Sequence, residues 1–269
     1  MFEFDPKGRY MMPAHFGIPN YDSPPSLWYR GGMLVEVSYI TDRERLAALL
    51  PKPFSVADEA LISVSYGHTG KVDWLAGRSY NMISVNAAVK FDGKEDQLEG
   101  RFSLVLWENL ADAILTGREQ IGIPKIFADI PDYTFENGEY RCSASHFESR
   151  ILDLSIANLT ALSAEEIAVA QEARAATDNQ MGWRYIPAVG GFGAEVSEPV
   201  IYPSDTVVSE VQVGVGSVEW NRLTWEQNPT QFHIVNALAD LPILEYRPST
   251  VIKGDTNLFF PERWPRILR

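Results

Sequence analysis

The sequence predicts a β-rich α+β domain, and three observations carry that expectation. Eight runs with strand-like alternation or β-branched composition lie between residues 33 and 220. Gly, Pro, Asn and Asp turn signals separate them. Helical periodicity is confined to a few short stretches, so helices are accessories to a sheet rather than alternating partners of it. No fixed-period repeat, low-complexity tract or long linker divides the 269 residues, and a single domain spanning 1–269 is expected.

Residues 1–28 scatter Pro and Gly without a period and read as an irregular arm over the body. From Gly32 the pattern turns strand-like in MLVEVSYI. A helical stretch, DRERLAALL, follows with Leu46, Leu49 and Leu50 on one side, closed by Pro51 and Pro53. Further strands are expected in ALISVSYG, YNMISVNAAVKF, GRFSLVLWE, DIPDYTFEN, YRCSASHFESRILDLSIANLTAL, EPVIYP and DTVVSEVQVGVGSVEW. In the last, Gly214 and Gly216 predict a bulge or a close approach to the backbone. Three more helices are expected. ENLADAILTGREQ starts at an Asn109 cap with Ile114 and Leu115 on its apolar side. SAEEIAVAQEARA opens on Ser163 and Glu166 in capping-box spacing, and NPTQFHIVNALA on an Asn228 cap with Pro229 first in the helix.

The formal net charge is −13 and the isoelectric point about 4.8, which argues against nucleic acid or an anionic membrane surface as partner. A small anionic substrate stays compatible, because one cationic pocket can oppose the average. The single cysteine, Cys142, allows no intrachain disulfide and no multi-cysteine metal site, which suits a cytoplasmic setting. No signal pattern opens the chain and no run nears the roughly 18 apolar residues of a membrane span, so a soluble, unprocessed protein is expected.

Metal and cofactor chemistry find little footing. The four histidines, His15, His68, His146 and His233, are scattered and form no HExxH. VGVGS and VGGFGAE supply glycines but neither GxGxxG nor a P-loop. Cys142 and His146 share one face of a strand about 13 Å apart, too far to touch, so Cys142 reads as a buried structural thiol. The aromatic runs WYRGG, DNQMGWRYIP and NRLTWEQ read as core, with the lining of a roomy pocket as the alternative.

Lys125 stands apart. In GREQIGIPKIF it follows Pro124 among Ile121, Ile123, Ile126 and Phe127, in a run short of charge. It either snorkels out of an apolar patch as a structural lysine or is held there for its amine. A free lysine amine, with a pKa of about 10.4, is nearly all protonated at neutral pH. An apolar wall disfavours the ammonium and so frees the nucleophile. Such an amine condenses with a ketone to an iminium, an electron sink for carbanion chemistry.

GREQIGIPK resembles the signature of the acetoacetate decarboxylase family, Gly-Arg-Glu followed by Pro-Lys. The likeness extends through WYRGGMLVEVSYITDRERLAALLPKPFSV, DNQMGWRYIP and GSVEW…ALADLPILE, so it spans most of the chain. The resemblance implies a β-rich domain built round a cone-like antiparallel barrel or sheet with about three helices, in a homo-oligomer. It implies Lys125 as the Schiff-base amine and Arg30 as the partner of a substrate carboxylate, Arg30 on a looser spacing. Arg118 and Glu119, with Gln120 beside them, would shape the pocket. A guanidinium suits a carboxylate because it offers a planar pair of donors.

Two departures bear on the chemistry. The family commonly carries Pro-Lys-Lys, whereas Ile126 follows Lys125 here. The family also has a glutamate shortly before the strand YNMISVNAAVKF, where this chain has no acid between Asp73 and Asp92 and offers Tyr80 instead. One reading is decarboxylation of a β-keto acid. A second is condensation of an α-keto acid such as pyruvate with an aldehyde, followed by loss of water, with Tyr80 or Glu108 moving the proton. A third is a catalytically silent binding protein on the same scaffold. No cofactor and no metal is expected in any of them.

Overall fold

A computed structural model of the chain describes residues 3–8, 10–17, 27–174, 177–202, 204–258 and 265–269. Among the described residues, sixteen strands join one sheet. In chain order they are β1 (Trp28–Ile40), β2 (Phe54–Val56), β3 (Leu61–His68), β4 (Lys71–Val72), β5 (Asn81–Asp92), β6 (Gln97–Glu108), β7 (Lys125–Phe127) and β8 (Thr134–Glu136). Then follow β9 (Glu139–His146), β10 (Ser149–Ala161), β11 (Gln180–Pro187), β12 (Ala194–Ile201), β13 (Asp205–Trp220), β14 (Glu245–Tyr246), β15 (Ser249–Asn257) and β16 (Arg266–Ile267). The helices are α1 (Arg43–Ala47), α2 (Ala111–Thr116), α3 (Ala164–Arg174) and α4 (Phe232–Ala239). The β-rich α+β class is as expected.

The main path runs β16-β12-β11-β6-β5-β3-β1-β15-β13-β10-β9-β8, with β2, β4, β7 and β14 as side branches. Most pairs are antiparallel, but β6 pairs in parallel with both β7 and β11, so the sheet is mixed. The sheet itself is not closed. A two-bond bridge between Asp129 and Ser145 nevertheless ties the segment leaving β7 to β9, across the gap between the two arms of the sheet.

Alternation along the strands decides which face is apolar. Val35, Val37 and Tyr39 of β1, Val64 and Tyr66 of β3, Ile83 and Val85 of β5 and Val105 and Trp107 of β6 all point into one core. Leu154 and Ile156 of β10 and Val235 and Leu238 of α4 complete it. Cys142 is buried there and burial pushes its thiol up to about 12, as befits a structural residue. The opposite face of β1, β3, β5 and β6 is polar but equally enclosed, with Ser38, Ser63, Ser65, Ser84, Asn86 and Ser103 all buried.

Several local expectations need correction. Asn109 does not cap α2, whose N-cap is Leu110 without a side-chain bond. Asn109 instead accepts from Asn81 N at 2.8 Å and donates to Ile130 O, locking β5 to the segment after β7. Leu115 is exposed rather than apolar-facing. Asn228 caps a turn: its side chain accepts from Gln231 N at 3.2 Å, and α4 begins only at Phe232. Ser163 and Glu166 do form a reciprocal capping box at α3. In β13 the close approach expected at the glycines occurs at both: a Cβ at Gly214 would stand 2.5 Å from Ala157 O, and one at Gly216 would stand 2.4 Å from Ser249 Oγ and 2.5 Å from Val37 Cγ2. Trp28 and Trp183 are partly buried, whereas Trp225 is exposed. Of the N-terminal arm, residues 3–8 and 10–17 carry a single 3₁₀ turn at Ala14–Phe16, and residues 18–26 lie outside the described residues.

Candidate functional site

Lys125 opens β7 and is only 7% exposed, so it does not snorkel to water. Leu106 N donates to Pro124 O at 3.1 Å, and Leu106 then pairs with Lys125 across the parallel register. Cross-strand partners share a face, and Lys125 therefore lies on the polar side of the sheet, while Ile126 packs on the core. Two residues along β6, Glu108 emerges on that same side.

The lysine ammonium meets Glu108 Oε1 at 2.7 Å and donates to Ala113 O of α2 at 3.1 Å. Glu108 is 1% exposed, and its second oxygen, Oε2, is buried without a hydrogen-bond partner. Burial holds the Glu108 carboxyl above its usual range, against the opposing pull of Lys125 and Tyr80. Such a carboxyl is a serviceable proton acceptor and donor nearer neutrality than a free one. Tyr80, also buried, approaches Glu108 and Tyr29 without closing a well-formed bond to the carboxylate, and burial drives its phenol well above the ordinary value.

The apolar wall beside the amine is not the one expected from Pro124, Ile123, Ile126 and Phe127. Phe127 is 41% exposed. The wall is a second, smaller cluster of Val72, Tyr80 and Ala113, flanked by Tyr29, Trp74, Leu75 and Leu110. Gly117 completes it: a Cβ there would stand 2.5 Å from Lys125 Cε and 2.8 Å from Nζ, so the lysine lies directly across a bare backbone. Gly117 begins a π-helical turn, Gly117–Ile121, where a continued α-helix was expected. Wider turns of this kind recur at functional sites. The carbonyl of Gly117 accepts from both Gly122 N and Ile123 N, which folds the chain back toward Pro124.

The other expected site residues fall into two groups. Arg118 stays close, its guanidinium donating to Lys125 O at 2.7 Å, so it holds the backbone of β7 rather than the amine. Glu119 contributes its backbone carbonyl, which accepts from Arg184 Nε and Nη2, and Gln120 is exposed. Arg30 is turned elsewhere. The pairing of β1 with β15 slips between Tyr29 and Gly32, with Gly31 at a φ of 64°. Arg30 then stands half-exposed beside Asp73 at 3.5 Å and over the Trp28 ring, while Tyr29 turns inward to Tyr80. Sequence reasoning missed Tyr29, Gly117 and Ala113. The aromatic pair flanking a Gly-Gly bulge was the available signal for the first, and the helix-ending glycine for the second.

Among the described residues no group of three or more His, Cys, Asp or Glu side chains is placed to hold a metal ion. Nor is any helix among them long and apolar enough to cross a membrane.

A β-rich sheet that buries a lysine–glutamate pair beside a π-turn defines the class, and comparison places it. The acetoacetate decarboxylase family model matches residues 12–262, and the chain belongs to that family of lyases. No curated protein matches it. Among solved structures, acetoacetate decarboxylase from Legionella pneumophila subsp. pneumophila str. Philadelphia 1 superposes with a TM-score of 0.74 at 17% identity, covering 94% of this chain and 93% of that one. The enduracididine biosynthesis enzyme MppR complexed with pyruvate gives 0.68 at 16%, covering 99% of each chain. MppR with the condensation product of pyruvate and imidazole 4-carboxaldehyde gives 0.67 at 15%, covering 98% and 97%. At these identities the likeness is one of fold.

Proposed function

We propose that the protein is a lysine Schiff-base lyase acting on a small keto acid, with Lys125 as the amine and Glu108 as its proton partner. The observation that carries this reading is the 2.7 Å contact between Lys125 Nζ and a fully buried carboxylate. In an enclosed pair of this kind the proton can pass to Glu108, leaving a neutral amine to attack the ketone carbon. Glu108 returns the proton as the carbinolamine loses water to give the iminium.

The iminium has two uses. With a β-keto acid, the bond to the carboxylate breaks, its electron pair moves to the iminium nitrogen, and carbon dioxide leaves. Protonation of the enamine carbon and addition of water then release the ketone and Lys125. With an α-keto acid such as pyruvate, a base takes a proton from the methyl carbon. The enamine attacks an aldehyde carbon, water is lost, and hydrolysis frees an unsaturated keto acid. Family membership and the likeness to acetoacetate decarboxylase support the first. The unpaired Glu108 Oε2 favours the second, because a buried carboxylate oxygen without a donor is a base waiting for a C–H. The likeness to a structure holding pyruvate points the same way. No second cation follows Lys125, so Glu108 has the activating part in both.

Sodium borohydride with pyruvate or acetoacetate tests the reading by intact mass. The native chain is expected to gain a reduced adduct with one of them, lost in Lys125→Ala. An acetone-derived mass from acetoacetate selects decarboxylation, and an intact pyruvate adduct selects condensation. An adduct that persists in Lys125→Ala, or none with either acid, overturns the assignment.

A further inference from the structure

α4 opens on a residue that does not cap it. Its N-cap is Gln231, at a position where Ser, Thr, Asp or Asn would satisfy a free backbone N–H, and the Gln231 side chain makes no capping bond. That amide instead spans the two strands of the candidate site from behind. Trp107 Nε1 donates to Gln231 Oε1 at 2.8 Å, and Gln231 Nε2 donates to Phe127 O at 2.8 Å. Trp107 is fully buried in the core and precedes Glu108 on β6, while Phe127 lies two residues past Lys125 on β7. The partners fix which way the amide points. An indole N–H only donates and a carbonyl only accepts, so Oε1 must face the first and Nε2 the second.

Among the described residues β7 pairs with β6 alone. The bonds that flank this pairing run from Leu106 N to Pro124 O and from Ala128 N to Glu108 O. By the alternation of a parallel ladder, the carbonyls of Lys125 and Phe127 therefore point away from β6. Arg118 meets the first and Gln231 the second.

We infer that Gln231 is a positioning residue for the Lys125–Glu108 pair. By tying Trp107 to Phe127 it fixes β7 against β6, and so sets the 2.7 Å between ammonium and carboxylate on the far face. This rests on the reading of Lys125 and Glu108 given above. Gln231 touches neither group and acts only through the strands that carry them. A neutral amide suits the place because it offers one acceptor and one donor from the same end. An ionised carboxylate at 231 would still accept from the indole, but it would set a second acceptor against Phe127 O. A protonated carboxyl would restore the donor. Gln and Glu, alike in size, differ at this position by one proton.

The test compares native protein, Gln231→Leu and Gln231→Glu in the rate of borohydride trapping and in turnover of the keto acid that is trapped. Turnover is read as deuterium exchange into the methyl group for pyruvate and as carbon dioxide release for acetoacetate. The pH is varied over the range in which far-UV circular dichroism shows each protein folded. In Gln231→Leu, kcat and the trapping rate are expected to fall about 10- to 100-fold, with KM held within about twofold. In Gln231→Glu, the rate divided by that of the native chain is expected to stay close to unity while the new carboxyl is protonated. It then falls about tenfold as the carboxyl ionises, above the ordinary carboxylic acid range because the position is buried. The titratable groups around this junction are His146 of β9, whose Nδ1 lies 3.2 Å from Asn228 Oδ1, His233 on α4, Asp129 just past β7, and Lys125 and Glu108 on the far face. All are present in the native chain, so the ratio removes their own titrations. A ratio that does not move with pH overturns this proposal alone, because a packing defect lowers the rate equally at every pH. Native trapping rates in Gln231→Leu overturn it too, and should that variant not fold, the Gln231→Glu ratio decides. No adduct with the native chain overturns the Lys125 reading and this inference with it.

Discussion

Lys125 reaches Glu108 by lying across Gly117, and no other residue type at position 117 leaves that route open. A methyl group there would press on Cε and Nζ, at 2.5 and 2.8 Å. The lysine tail is flexible, so the backbone survives the change and the ammonium moves instead. Gly117→Ala is expected to fold but to form the borohydride adduct about 10- to 100-fold more slowly, a penalty typical of a reacting group displaced by about an ångström. Unchanged trapping would show that the amine does not need this resting place. The lysine and its signature were legible in the sequence because Pro-Lys after Gly-Arg-Glu is a local pattern. Glu108 was named there only as one of two proton carriers, since the acid was sought before β5. The carboxylate arrives from the neighbouring strand β6, where its 17 residues of separation from Lys125 become one cross-strand diagonal. Arg30 had the right chemistry for a carboxylate, but it lies in the register slip of β1 and stands beside Asp73, and a bulge re-aims side chains locally in a way that alternation does not announce.

Long alternating strands were recovered from the pattern, and the ones missed share a reason. β15 carries Lys253, Gly254 and Asp255 in its middle, which erases alternation, yet it sits between β1 and β13. β7 is three residues long and exists only because β6 offers it a parallel edge. Elements that tertiary pairing creates leave no period in the chain. The helices divide by capping. α3 is exposed along most of its length and depends on the Ser163–Glu166 box rather than on a buried face. Ser163→Ala is expected to cost α3 about 1 kcal/mol and to speed its amide exchange roughly fivefold, with little change in the melting temperature of the whole protein. A large drop in melting temperature would mean that α3 packs on something its exposure does not reveal.

At the scale of the molecule the sheet has one arm fastened by charge. β16 pairs with β12, and Arg266 holds Asp96 through both terminal guanidinium nitrogens, while Asp96 also accepts from Arg269 N. Arg266 holds the Asp96 carboxyl down at about 2, from an ordinary 3.8. A depressed carboxyl contributes stability that is present above its unfolded value and lost as pH falls through the folded one. Amide protection in β16 is therefore expected to fall between about pH 4 and pH 2, in a window set by Asp96, and Asp96→Asn is expected to remove that pH dependence. Protection that stays flat through this range would place the fastening elsewhere. The β-rich class was visible in composition and turn spacing, but the mixed order of the strands was not, because parallel pairing leaves no mark in a short strand.

The place of β15 has a consequence for how the protein is made. Tyr29, Tyr80, Glu108, Gly117 and Lys125 all lie in the first half of the chain, yet β1, which carries Tyr29, is bordered on one side by β15, with Trp28 opposite Asn257 and Val35 opposite Val251. A nascent chain emerging from the ribosome thus presents every group of the candidate site long before it can seal the edge beside them. Until residue 257 is available, β1 ends in unpaired amides, an open template for a neighbouring chain. The chemistry is written early and the shelter for it arrives last.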